Sequence, residues 1–337
     1  MTTYKTWFDR HRTGGTAVPN IGINLADSFL DGRLAALEEG LSLAADLGYD
    51  SVELSAYGLN VVVNGRCNRD RVAAIHEILR HYPLAYTVHG PCELNLALDA
   101  SDGIAESALA AYLNFCAEIE ADIFVYHSGL IHLHAPYWGL APLPLEDTIQ
   151  TRHEYEVAAL QRLAPRADDL GVIIAMENRD PHLWEVAALA RQGRTVQALS
   201  TYHPGLLMDK VLTQIEAVDH PAVGLTLDVG HAYIASQVCG FDYLAAVEAA
   251  APHVKHIHFH DNCGKLDGFS SEQAERLPFG QGDLHMPPGW GEIPLQETLR
   301  LLKTYEGTIT LEIRPRYHDH LEASLARTRD LWQNRSR

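Results

Sequence analysis

The chain has 337 residues, 47% hydrophobic and 21% charged, enough to bury a large core in a single α/β barrel. Its 44 acidic and 26 basic residues give a formal charge of −18 with no run of Lys or Arg, which argues against the phosphate backbone of duplex DNA as a partner. No apolar run is long enough to span a bilayer, and the opening MTTYKTWFDRHRTGG lacks the apolar core of a signal peptide.

Strand-like and helix-like segments alternate along the chain. NIGINL at 20–25 reads as the first strand, and residues 32–47 follow with apolar positions at helical spacing and a glycine stop. SVEL at 51–54 precedes a polar loop and a helix at 70–81; LAYTVH at 84–89 precedes a helix at 104–119. DIFVYH at 122–127 leads through a long loop with His132, His134, Tyr137 and Trp138 to a helix over 145–168. VIIAME at 172–177, GLTLD at 224–228, residues 254–260 and TITLE at 308–312 complete the strands. Helices are expected at 241–251 and 321–332. Eight short, mostly apolar strands joined by helices imply parallel pairing and a (β/α)₈ TIM barrel. An open doubly wound sheet is the structural alternative, but no Gly-rich dinucleotide loop follows the first strand. No linker divides the chain, so one domain over 1–337 is expected. Residues 180–223 exceed an ordinary crossover and read as an insertion that covers the substrate or merely adds packing.

The chemistry gathers at strand ends. His89, His127, Glu177, Asp228, His258 and Glu312 each stand at or near the C-terminal end of an expected strand, the face on which barrel enzymes build their sites. One polar residue there would cap a loop; six, all of metal-ligand type, point to a cation. DVGH brings His231 back toward Asp228, and the stretch 255–293 adds His256, His258 and His260 on one strand face. His256 or His260 alone reads as an ordinary loop or core histidine. Asp283 and His285 arrive just before the Pro287-Pro288-Gly289 turn. Glu177, Asp228, Asp283 and Glu312 would place four carboxylates at one mouth, and two such charges ~5 Å apart repel by roughly 3 kcal/mol at an effective dielectric of about 20. Divalent cations would remove that repulsion. As partners of Arg179 and Arg314, the two glutamates would instead be structural. The five cysteines (Cys67, Cys92, Cys116, Cys239, Cys263) are odd in number and without CxxC, so free thiols in a reducing cytosol are expected.

In order, HGPCELNLA, VYHSG, AMENRD, LTLDVGH, HIHFHDN, GDLHMPPGWGEI and LEIRP resemble the xylose isomerase-like TIM-barrel superfamily, from about residue 20 to 330. Each motif is modest alone; their ordered set carries the resemblance. It implies one of two sites. The epimerase type holds one Mn²⁺ or similar ion on Glu177, Asp228, His258 and Glu312, with the two glutamates exchanging a substrate proton. The endonuclease IV type holds three zinc ions on nine ligands, mapping onto His89, His127, Glu177, Asp228, His231, His258, Asp283, His285 and Glu312. Every one of those positions carries the expected residue type. The loop that wedges DNA in endonuclease IV reads Pro91-Cys92-Glu93 here, which with the acidic charge disfavours abasic-site cleavage.

The leading expectation is a metal-dependent isomerase or epimerase of a sugar, sugar phosphate or polyol, with Zn or Mn in one to three sites and Glu177 and Glu312 as the acid/base pair. The alternative is multi-zinc hydrolysis of a small phosphodiester or related ester. A non-catalytic metal-binding or sugar-sensing protein is the third class. Arg179, Lys255, Arg314 and Trp290 are candidate substrate contacts. The expected partner is a small molecule rather than nucleic acid or membrane, with self-association left open.

Overall fold

The computed structural model describes residues 19–98, 103–129 and 133–336, so the N-terminal stretch and His132 lie outside it. Eight parallel strands close into a barrel: β1 Asn20–Leu25, β2 Ser51–Ser55, β3 Ala85–His89, β4 Ile123–His127, β5 Ile173–Glu177, β6 Val223–Asp228, β7 Val254–His258 and β8 Thr308–Leu311. Each pairs with its sequence neighbours, and β1 closes the ring by pairing β8 with Ile23 beside Leu311. Helical crossovers cover the outside, which is why SVELS and IFVYH are buried along their whole length instead of alternating. Ile21, Val52, Val88, Phe124, Ile174, Leu225, Ile257 and Ile309, one from each strand, are fully buried. Burying such a side chain is worth about 1.5–3 kcal/mol before entropy is counted.

The expected strands and most of the helices are present within one or two residues. Several shorter elements, and the helices Met208–Val218 and Val229–Cys239, were not expected from the sequence. The helix Val229–Cys239 starts directly after the last residue of β6; VGHAYIASQVC is too uniformly apolar to show an amphipathic period. Its N-terminus is capped by Asp228, whose Oδ1 accepts the His231 N–H at 2.7 Å. Leu295–Leu301 is a helix of only two turns, and Val62–Val63 pairs with Arg66–Cys67 in a small hairpin.

The long crossover divides in two. Met208–Val218 packs against β6 and the long helix Glu146–Asp169, as an ordinary β5–β6 crossover helix does. The extra part precedes it and consists of the helix Leu183–Arg191 followed by several single turns. Its Ala188, Leu189, Leu199, Tyr202 and Leu206 form a separate apolar cluster with Leu133 and Ile149. Inside that cluster Glu185 Oε1 lies 2.9 Å from His203 Nδ1, both side chains buried. Among the described residues, no helix is long and apolar enough to cross a membrane.

Candidate metal centre

The barrel brings all nine expected ligands to its C-terminal mouth. His89, His127, Glu177, Asp228 and His258 are the last residues of β3, β4, β5, β6 and β7, and Glu312 directly follows β8. His231 comes from the first turn of the helix after β6, and Asp283 and His285 from the loop after β7. Glu177 joins two groups. Its Oε2 is 2.6 Å from His127 Nε2 and 3.6 Å from His89 Nε2; its Oε1 is 3.1 Å from His258 Nδ1. Around that same Nδ1 stand Glu312 Oε2 at 3.2 Å and Asp228 Oδ2 at 3.7 Å. In the third group His285 Nε2 contacts Asp283 Oδ2, and His231 Nε2 lies 3.6 Å from it. Donor atoms of Glu177, Asp228, His258 and Glu312 fall within 4.8 Å of one another, as do those of His231, Asp283 and His285.

These residues fit a divalent cation. His127 Nε2, Glu177 Oε2 and Asp283 Oδ1 are buried without a hydrogen-bond partner among the described residues, although His127 and Glu177 nearly touch. Buried polar atoms rarely go unpaired, and nitrogen and carboxylate donors aimed at common points are what a metal would satisfy. The outer nitrogens are already engaged. His89 Nδ1 faces the Gly90 carbonyl at 2.7 Å, His231 Nδ1 that of Asn178 at 3.0 Å, and His285 Nδ1 that of Glu312 at 2.8 Å. Each of these rings therefore turns Nε2 toward the centre, the backing usual for ligand histidines.

The carboxylates are not bare. Burial disfavours the Glu177 charge, yet His127 and His258 outweigh it and hold the carboxyl well below the usual range. Asp228 and Asp283 are likewise held down against burial, the first by His231 and His260, the second by His285 and His260. Reciprocally, burial is overcome at His89, pushed up to about 10 chiefly by Glu177, and at His260, pushed up to about 9 by Asp228. Neighbouring imidazoles thus offset part of the carboxylate repulsion that the residue types alone assigned to divalent cations.

Second contacts fix the ligands. Asn178 Oδ1 accepts the Asp228 N–H and its Nδ2 donates to the Asp228 carbonyl, both at 3.0 Å. Asp261 accepts the N–H groups of Gly289 at 2.8 Å and Ile293 at 3.2 Å, while its backbone pairs with Met286. That clamp presents Asp283 and His285, the latter at φ +46°, a left-handed conformation rare for a residue with a side chain. Two glycines leave necessary room: a Cβ on Gly230 would sit 2.1 Å from His260, and one on Gly291 2.2 Å from the Asn262 carbonyl oxygen. At the end of β4, buried Glu156 accepts from Tyr126 Oη at 2.7 Å, Gln214 Nε2 at 2.6 Å and the Gly129 N–H at 3.2 Å.

A cavity of about 500 Å³ opens over the centre. Of the four candidate substrate contacts, Arg179 and Arg314 line it. Lys255 and Trp290 do not. Lys255 alternates with the inward-facing His256 and is exposed on the outside of the barrel. Trp290 is half exposed and packs on Tyr317 and His320. The wall instead includes His134, Asp180, His182 and Trp184, with Trp184 stacked on His134 at 4.3 Å. Two histidines read as ordinary prove to be part of the centre's surroundings. His260 Nε2 lies 3.1 Å from both Asp228 oxygens and its ring stacks on His285; His256 lies beneath, 2.8 Å from Glu53. The spacing-two run of histidines was the signal for both, since alternate residues of a barrel strand share its interior.

The chain is 20% identical over 280 residues to the uncharacterized protein MJ1311 of Methanocaldococcus jannaschii, covering 82% of this chain and 79% of that one. Among solved structures, a D-tagatose 3-epimerase-like protein superposes with a TM-score of 0.66 at 17% identity, over 94% of this chain and 100% of the other. A D-psicose 3-epimerase crystallised in the presence of D-fructose gives 0.62 at 15% identity, over 93% and 99%. At such identities the likeness establishes the fold alone. The family model described as xylose isomerase-like TIM barrel matches residues 41–334, and with the closed eight-stranded barrel this places the chain in the xylose isomerase-like TIM-barrel family.

Proposed function

We propose that this protein is a divalent-metal-dependent isomerase or epimerase of a small, sugar-like polyol. The observation that carries the reading is the placement of Glu177 and Glu312. From β5 and the end of β8 they approach His258 Nδ1 to 3.1 and 3.2 Å, and both line the cavity. A substrate carbon between them would have a carboxylate on each side, as removal of a proton from one face and return to the other requires. Glu177, Asp228, His258 and Glu312 would hold the cation, which when bound supplies a Lewis acid for the oxygen charge that develops as the proton leaves. Arg179 and Arg314 offer donors to hydroxyl, carbonyl or phosphate oxygens. The cavity volume suits a single sugar or sugar phosphate. The names of the superposed epimerases are consistent with this reading.

The test is proton exchange. Mn²⁺- or Zn²⁺-loaded protein is incubated in D₂O with a panel of aldoses, ketoses and their phosphates and followed by NMR. Deuterium should enter one carbon-bound position of a substrate, and Glu177→Gln or Glu312→Gln should slow entry by about 10²- to 10⁴-fold. No exchange across the panel, together with metal-dependent cleavage of bis(p-nitrophenyl) phosphate, would replace this reading with the second.

That second reading, hydrolysis of a small phosphodiester or related ester by a multi-metal centre, is favoured by a specific observation. His89 and His127 converge on Glu177 Oε2, and His231, Asp283 and His285 form a separate donor group on the other side. A one-metal epimerase needs neither.

A further inference from the structure

Glu53 was not among the ligand candidates, yet it is a buried carboxylate beneath the centre. It projects from the middle of β2 and is 1% exposed. Its Oε2 accepts from Thr87 Oγ1 at 3.0 Å and from His256 Nε2 at 2.8 Å. Its Oε1 lies 3.0 Å from His258 Nε2, at ion-pair distance but angled away from an ideal hydrogen bond. Glu53, His256 and His258 could themselves be taken for a metal site. Hydrogen bonding argues otherwise: Glu53 Oε2 is already taken by Thr87 and His256, whereas Glu177 Oε2 at the mouth is left without a hydrogen-bond partner among the described residues.

A carboxylate can only accept hydrogen bonds, so a ring nitrogen facing it must carry the proton. On His258 that nitrogen is Nε2. The other, Nδ1, likewise faces carboxylates and hydrogen-bonds Glu177 Oε1 at 3.1 Å, so a cation bound among Glu177, Asp228 and Glu312 would replace its proton and leave the remaining one on Nε2, facing Glu53. His258 is thereby opposite to His89, His231 and His285, whose Nδ1 atoms meet backbone carbonyls and whose Nε2 atoms face the centre. Among the described residues no backbone carbonyl hydrogen-bonds His258 Nε2, and the carboxylate beside it is Glu53.

We propose that Glu53 is a positioning residue that fixes the tautomer of His258, making Nδ1 the atom it gives to the metal. This rests on the reading of the mouth as a metal centre. Without Glu53 the proton on His258 is free to occupy Nδ1, where it blocks ligation and points at three carboxylates. His256, held by the same carboxylate, keeps Glu53 oriented from the side away from the centre.

The experiment compares wild type with Glu53→Gln and Glu53→Asp in two measurements. Calorimetric titration with Mn²⁺ and with Zn²⁺ gives affinity and stoichiometry. Long-range ¹H–¹⁵N correlation on histidine-labelled, Zn²⁺-loaded protein gives the protonated nitrogen of each ring, with His258 assigned by its loss in His258→Gln. The expected result is Nε2–H at His258 in the wild type. Glu53→Gln should lose about 10- to 100-fold in affinity, as loss of a carboxylate behind a ligand histidine generally does, and Glu53→Asp should recover part of it. Wild-type affinity in Glu53→Gln, or a metal-loaded wild type with His258 protonated at Nδ1, would overturn the proposal while leaving the metal centre standing. A wild type that binds neither ion would overturn the metal centre, and this proposal with it. The wild-type NMR result decides even if a variant fails to fold.

Discussion

The mouth of the barrel has two unlike halves. On one side are the candidate ligand residues, most of them the terminal residue of a strand hydrogen-bonded on both edges and backed by Asn178, Glu53 or a carbonyl. On the other is a wall of His134, His182 and Trp184, carried by short helices and loops whose apolar cluster is separate from that of the barrel. The contrast separates two demands. Ligands must hold positions to a fraction of an ångström, which a closed sheet provides; a wall that recognises one substrate is free to be rebuilt on loops without disturbing them. Changes in the first half should alter metal content, and changes in the second should alter substrate affinity with the metal intact.

The largest effect is expected from Asp283→Ala with His285→Ala. Both residues touch the third donor group, so bound metal, measured by elemental analysis, should fall by about one ion per chain if that group is occupied. Hydrolysis, if that is the chemistry, should vanish. Unchanged metal content would assign the pair to the wall and leave the one-metal epimerase reading nearly alone.

Chelation comes next. Free metal at about a hundred times its dissociation constant stabilises by about 2.7 kcal/mol, so removal should lower Tm by several degrees, reversibly. The sign of the pH dependence follows from His89 and His260, whose folded values rise to about 10 and about 9. Raised histidines contribute stability fully below their unfolded value near 6.5 and lose it as pH climbs through the folded value. The chelated protein should therefore weaken from neutral pH toward pH 10, and the gap between loaded and chelated Tm should widen. A gap that narrows over that range would mean these imidazoles are neutral in the metal-free fold.

The smallest effect belongs to the wall. Trp184→Ala removes an indole stacked on His134 at the cavity. It should raise KM for the accepted substrate by about tenfold, roughly 1.4 kcal/mol, with metal content unchanged. Loss of metal in this variant would erase the distinction between the halves.

The same division explains what could be read without coordinates. The strands and their terminal ligands were legible because a buried parallel strand is a short apolar run, and a His, Asp or Glu at its end stands out against it. Glu53 was hidden for the opposite reason: it sits mid-strand in SVEL, where a lone glutamate reads as a solvent-facing position. Only the closed barrel reveals that β2 is buried on both sides and that His256 and His258 meet this residue from far along the chain. Lys255 misled because basic character suggested substrate contact, whereas strand alternation places it outside. Trp184 and His182 belong to an insertion whose path no periodicity records.

His285 carries one more implication, about descent. Its backbone at φ +46° costs on the order of 1 kcal/mol for a residue with a Cβ, and glycine would occupy that conformation without penalty. Folding alone would thus favour Gly or Asn here, yet this chain carries an imidazole. A descendant barrel released from its chemistry should drift to glycine or asparagine at this position early, gaining stability as it does so. The residue at position 285 is therefore a marker by which working members of this lineage could be told from retired ones.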